Sequence, residues 1–206
     1  MKKHSFYILS LFATLFCLCS CSEIEEAGEY DNWEERNQHF VDSIASLANA
    51  NKDGWTKIVA YNLNDSVEAI KHDNNHYVYV KKIENGTGDT TPMYNDSVRV
   101  HYQGRLIPSS THPIGYVFDK SYASSTLYEP TDVPAIMGVK STVVGFSTAL
   151  QHMVEGDSWR IVIPYYLGYG EAGDSRASIP GYSTLIFDIK MARIYRYKID
   201  TNTSWH

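Results

Sequence analysis

Cysteine is almost missing from this chain. The 206 residues hold three, Cys17, Cys19 and Cys21, all inside one five-residue stretch near the N-terminus. Everything after residue 21 therefore lacks a disulfide framework, a thiolate metal site and a cysteine nucleophile. Basic charge is also short: 18 Lys and Arg stand against 24 Asp and Glu, for a formal charge of −6. With no basic stripe to neutralise phosphates, no nucleic-acid partner is expected. No apolar run approaches the roughly 20 residues that a spanning helix needs; the longest, Phe6 to Leu18, has 13. No Gly-x-Ser-x-Gly elbow occurs, since Gly145-Phe-Ser-Thr-Ala149 lacks the second glycine. No phosphate-cradling glycine loop, internal repeat or low-complexity tract is present. The eight histidines are read as forming no zinc pattern, so neither a metal nor a cofactor is expected.

What is present begins with the N-terminus. Lys2 and Lys3 precede the short apolar run, as in a signal peptide. The run ends in Leu18-Cys-Ser-Cys21, which resembles a bacterial lipobox. By that resemblance residues 1–20 are removed and Cys21 is acylated; the alternative is an ordinary secretory signal with incidental cysteines. Removal takes away Lys2 and Lys3 but no acid, moving the charge from −6 to −8. Stable anchoring needs more than one acyl chain, which lipoprotein processing supplies. The acidic stretch Ser22 to Glu26 resembles signals that direct Gram-negative lipoproteins to the outer membrane or cell surface. The expected location is the cell envelope, lipid-anchored, at the outer membrane.

Residues 21–75 read as a tether and helical extension. Asp31 is the expected N-cap, with Glu34 as capping-box partner. Trp33, Phe40, Ile44 and Leu47 recur at helical spacing, and the polar run from Asn49 to Gly54 stops the helix. Trp55 to Asn62 fits a short strand or a helix. The extension could pack on the main domain, mediate self-association or act as a spacer.

The main domain is expected over 76–197, leaving 198–206 as a tail. Sixteen tyrosines favour strands and binding surfaces. His76 to Ile83 reads as a strand closed by the turn Glu84 to Gly88. Val98, Val100, Tyr102 and Leu106 alternate with polar residues, as do Leu185, Phe187, Ile189 and Met191. By this alternation His101 faces solvent. Ile136 to Val144 reads as a strand leading to a short helix opened by Gly145. Phe146, Leu150 and Met153 give that helix one apolar face, and Gly156 closes it. Ser158 to Ile163 is a further strand. Loops are expected over Pro108–Gly115, Tyr122–Asp132 and Tyr165–Gly181. The implied class is α+β, an antiparallel sheet wrapped over one short helix.

The segments Val98-Arg-Val-His-Tyr-Gln-Gly, Val117-Phe-Asp119, Leu167-Gly-Tyr-Gly170 and Leu185-Ile-Phe-Asp188, in this order and spacing, resemble the FKBP family of peptidyl-prolyl cis-trans isomerases. The resemblance covers residues 76 to 195. It implies an isomerase acting on proline-containing polypeptides and assisting the folding of exported proteins. The alternative it leaves is a non-enzymatic chaperone or binding module that keeps the fold. Carried over by position, Tyr102 forms one wall, Phe118 lines the pocket and Asp119 polarises its rim. Val143 offers its backbone N–H, and Phe146 forms the floor where the family usually has tryptophan. Tyr169 donates a hydroxyl, while Ile179 and Phe187 complete the apolar lining. The sequence departs from the family in having no basic residue over 122–132 to pair with Asp119, no aromatic near Val133, and Ser178 at an apolar position.

Overall fold

The computed structural model describes residues 28–63 and 73–197, and the first element described is helix α1, Trp33–Asn49. The segments expected to carry the signal peptide, Cys21, the acidic tether and the C-terminal tail lie outside the described residues. Among the described residues no helix is long and apolar enough to cross a membrane.

The buried stripe of α1 is Trp33, Asn37, Val41, Ala45 and Ala48. It lies beside the expected one, for Phe40, Ile44 and Leu47 are only partly buried. Two alanines on the inner face let the helix approach closely, and its larger residues fill the flanks. The expected capping box does not form. Asn32 is the N-cap, left-handed at φ 52° and without a side-chain cap bond. Asp31 instead accepts a hydrogen bond from the N–H of Gly28 at 2.7 Å.

Asn51, Asp53 and Gly54 all have positive φ and turn the chain into β1, Trp55–Val59. The segment left open between helix and strand is thus a strand. It pairs antiparallel with β2, Tyr77–Glu84. Next come β3 (Ser97–Arg105), β4 (Val117–Lys120), β5 (Ala135–Gly138), helix α2 (Val144–Leu150), β6 (Ser158–Ile163) and β7 (Leu185–Tyr195). They form one seven-stranded antiparallel sheet in the order β1-β2-β6-β7-β3-β4, with β5 also paired to β3. The class is α+β. One compact unit begins at Asn32.

The strand expected over Ile136–Val144 ends at Gly138 and gives way to a tight turn at Val139–Ser141 before α2. Helix α2 packs on β1, β2 and β6. Gly145 is required there, because a Cβ would lie 2.4 Å from Ile163. Phe146, Leu150 and Met153 are all buried, as their spacing predicts. They join Val78, Val98, Val100, Ile161, Ile163 and Leu185 in the core. The apolar area removed from water here is the main favourable term in folding.

His101 corrects an expectation. It is 5% exposed, and its Nδ1 has no hydrogen-bond partner among the described residues. Alternation does put it on the face opposite Tyr102, but Tyr122 and Leu127 of the following loop border the same hollow and cover it. A strand pattern shows which face a residue takes, not whether a distant loop lies over that face.

Candidate active site

A cavity of about 330 Å³ opens where β3, β4, β5, α2 and β7 converge. Its wall takes Tyr102 from β3, Asp119 from β4, Met137 from β5, Ser141 to Val143 from the approach to α2, Phe146 from α2, and Phe187 from β7. The loop over 164–184 closes one side with Tyr169, Asp174 and Arg176.

Phe187 is the hub of the aromatic cluster. Its ring centre lies 4.8 Å from Phe146 and 5.5 Å from Phe118, both edge-on, and 6.4 Å from Tyr102. Tyr102 meets Phe146 edge-on at 6.2 Å. Edge-to-face pairs at such distances are favourable beyond the area they bury. Gly104 makes the convergence possible. It pairs with Phe187 on one side and Asp119 on the other. A Cβ there would lie 2.5 Å from the Phe187 ring and 2.7 Å from Phe118.

Between Gly104 and Arg105 the pairing of β3 with β4 slips by one residue, so Phe118 is the extra residue of a bulge. Asp119 lines the cavity, and Phe118, half-buried and edge-on to Phe187, is not among the lining residues. Ile179 likewise departs from expectation: it is 3% exposed, within the core and off the lining. Six of the eight expected positions, Tyr102, Asp119, Val143, Phe146, Tyr169 and Phe187, do border one space.

The polar groups of the wall are sparse. Tyr102 donates its hydroxyl proton to Asp119 Oδ2 at 2.7 Å. Burial raises the Tyr102 pKa far above the usual tyrosine range, and the hydrogen bond and charge of Asp119 add to the effect. Burial also raises that of Tyr169; the carboxylates of Asp174 and Asp119 add to this and Arg176 opposes it. The Tyr169 hydroxyl has no hydrogen-bond partner among the described residues. The Val143 N–H makes no backbone hydrogen bond among the described residues. The cavity thus presents an apolar floor, one committed phenol, one phenol without a partner, and one open amide.

Asp174 and Arg176 were not anticipated. Arg176 donates to both oxygens of Asp174, at 3.1 and 3.0 Å. The hydrogen bonds from the Arg176 side chain and backbone hold the Asp174 carboxyl below its ordinary range. An Asp two residues before an Arg, capping a tight turn, was the available signal. Asp188 turns away from Phe187 and binds Arg105 at 2.7 Å and Arg160 at 2.6 Å. His72 and His76 do stand four residues apart, a spacing the histidine pattern was wrongly read to lack. His72 lies outside the described residues, and His76 packs against the Tyr166 ring at 5.2 Å.

Residues 88–192 match the family model described as FKBP-type peptidyl-prolyl cis-trans isomerase. The chain is 31% identical over 186 residues to "Macrophage infectivity potentiator" of Trypanosoma cruzi, covering 89% of this chain and 80% of that protein. It is 40% identical over 112 residues to the FKBP-type 22 kDa peptidyl-prolyl cis-trans isomerase of Escherichia coli, spanning 54% of this chain and 47% of the relative. The chain thus spans most of the first relative and about half of the second. A crystal structure of a peptidyl-prolyl cis-trans isomerase from Pseudomonas syringae superposes with a TM-score of 0.53 at 25% identity, covering 79% of this chain and 96% of that one.

Proposed function

The chain belongs to the FKBP-type peptidyl-prolyl cis-trans isomerase family, and from that premise we propose that the cavity around Phe187 binds proline and catalyses rotation about the preceding peptide bond. The observation that carries this reading is the joint placement of Tyr102, Phe146 and Phe187 around one hollow beside an unpartnered Tyr169 hydroxyl.

The physical demand of the reaction matches the site. Rotation about X–Pro faces a barrier of roughly 18–20 kcal/mol from amide resonance. No proton transfer and no nucleophile is needed, and none is arranged here. Phe146, Phe187 and Tyr102 take the pyrrolidine ring out of water. Desolvation destabilises the charge-separated amide form and so lowers its double-bond character. The Tyr169 hydroxyl and the Val143 N–H donate to carbonyls flanking the proline and hold the chain while the bond turns. Catalysis follows if these contacts favour the twisted amide over both planar isomers. Asp119 fixes the Tyr102 ring as a wall. Phe118 supports Phe187 edge-on.

We further propose that the protein works at a bacterial envelope on exported polypeptides, anchored through Cys21. This rests on Lys2, Lys3, the apolar run and Leu18-Cys-Ser-Cys21. Replacing Cys21 by Ser should release the protein from the membrane fraction; unchanged membrane retention would count against the anchor.

A protease-coupled assay of a Leu-Pro or Phe-Pro tetrapeptide tests the catalytic reading. The full chain should accelerate isomerisation, and Tyr169→Phe and Asp119→Leu should each slow it. A chaperone without isomerase activity is the second reading, favoured by the exposed Val133 and Ile136 beside Met137 of the cavity wall. Suppressed aggregation with no rate acceleration would select it.

A further inference from the structure

Tyr169, the loop residue that donates to substrate in the reading above, sits only two hydrogen bonds from helix α1. The carbonyl of its neighbour Gly170 accepts from the Tyr182 N–H at 3.0 Å. The next residue, Ser183, accepts from Trp33 Nε1 at 2.9 Å and itself donates to the Pro180 carbonyl at 2.7 Å. Thr184 follows, and its N–H donates to Asn37 Oδ1 at 2.7 Å. The other end of the Asn37 amide donates to the Trp33 carbonyl at 2.7 Å, which locks its orientation on the helix.

Both helix residues are buried, Asn37 at 1% exposure and Trp33 at 7%. A buried amide is tolerated where each end is satisfied, and here one end is satisfied only by the loop. The segment being held is also conformationally unusual. Tyr182 has φ +59°, a left-handed backbone that a bulky residue keeps only when its neighbours impose it. The imposing contacts are the Gly170 bond on one side and the anchors at Ser183 and Thr184 on the other. The Tyr182 ring adds a contact to Tyr165 at 5.1 Å.

We propose that Trp33 and Asn37 are positioning residues for Tyr169. Helix α1, which lies outside the residues matched by the family model, holds the far arm of the 164–184 loop. That arm fixes Gly170, and with it the direction of the Tyr169 hydroxyl. The helix is thereby part of the catalytic apparatus without touching substrate. This rests on the catalytic reading of Tyr169.

The test is a double-mutant cycle in the full chain. Asn37→Leu should lower kcat/KM for the proline tetrapeptide roughly 2- to 30-fold, the span of coupling through a packed network. In the Tyr169→Phe background the same substitution should have almost no effect. Trp33→Phe, which keeps a smaller aromatic ring and loses the donor, should behave alike with less risk to folding. An equal loss in both backgrounds means a merely structural role and overturns the proposal. Amide exchange at Tyr182 and the Tyr169 ring resonances give a readout independent of turnover. Both variants should speed the exchange and move the resonances; unmoved Tyr169 signals overturn the proposal. A full chain that does not accelerate isomerisation would sink the catalytic reading instead, while the resonances still report whether α1 places Tyr169.

Discussion

Tyr102 and Asp119, on neighbouring strands 17 residues apart in the chain, satisfy one another across the rim of the cavity at 2.7 Å. The pairing stiffens one wall, while the Tyr169 hydroxyl has no hydrogen-bond partner among the described residues. Asp119→Leu removes the acceptor of a hydrogen bond that water can reach, which should cost about 1 kcal/mol or less. Tyr102→Phe removes the donor cleanly and should cost about 1 kcal/mol or less. Urea titration of both single variants and the double variant checks this. The double variant should be less destabilised than the sum of the singles.

The buried phenols predict alkaline behaviour. Burial is the leading cause that raises the pKa values of Tyr79, Tyr102 and Tyr169. A folded-state pKa above the unfolded one means that the neutral phenol favours the fold. That contribution is whole below the unfolded value near 10 and is lost as the pH rises from there through the folded value. Tyr79 and Tyr102, which burial shifts furthest, should ionise well above the ordinary tyrosine range and alongside the loss of structure, and Tyr169 should ionise above that range. Tyrosinate absorbance followed beside circular dichroism should show the late phase and the loss of structure coinciding.

Gly104→Ala isolates the close approach of the rings. Its Cβ would sit 2.5 Å from Phe187 and 2.7 Å from Phe118, so one ring must move. Overpacking of this kind costs about 1–3 kcal/mol. The variant should lose melting temperature and isomerase activity together. Unchanged activity would show that the Phe187 position is not critical.

Asp188 links β7 to β3 and β6 through Arg105 and Arg160. Burial alone would raise its pKa, but the hydrogen bonds and charges of the two arginines outweigh that and lower it. With the folded value below the unfolded one, its stabilisation is present above about pH 4 and is lost as the pH falls through the folded value. Asp188→Asn should destabilise by about 1–2 kcal/mol at neutral pH, discounted because the carboxylate is over a third exposed. The loss should shrink on acidification, and denaturant midpoints measured from pH 7 downward would reveal it.

Arg176 stands at the cavity rim, 89% exposed and bound to Asp174. Arg176→Gln leaves Asp174 and Asp119 as a net acidic rim. Peptides with Lys beside the proline should then gain in kcat/KM over peptides with Glu, and added salt should erase the difference. The comparison of those two peptides before and after substitution is the measurement.

Much of this was legible in one dimension. Alternation at Val98–Tyr102 and Leu185–Met191, and the helical spacing of Phe146, Leu150 and Met153, report local periodicity that burial then enforces. The order of Tyr102, Asp119, Phe146, Tyr169 and Phe187 carried the family and most of the cavity wall. Phe118 and Ile179, expected on the wall, are not among the residues that line the cavity. A bulge decides the first, and the path of a loop decides the second; neither has a period to read. His101 shows the same limit, since its strand position assigns a face and a loop some twenty residues later covers it.

The amino-acid order by itself determined the strands around Val98, Ser158 and Leu185, the short helix and the proline-isomerase family, because each depends on residue order along the chain. Only the tertiary structure decided that α1 and β1 belong to the same body as the cavity, that Asp174 and Arg176 sit at its rim, and that Trp33 and Asn37 hold the loop of Tyr169. Those contacts join residues up to 150 positions apart. They exist because folding brings unsatisfied polar groups and apolar faces together, and no local pattern encodes which distant partner will satisfy them.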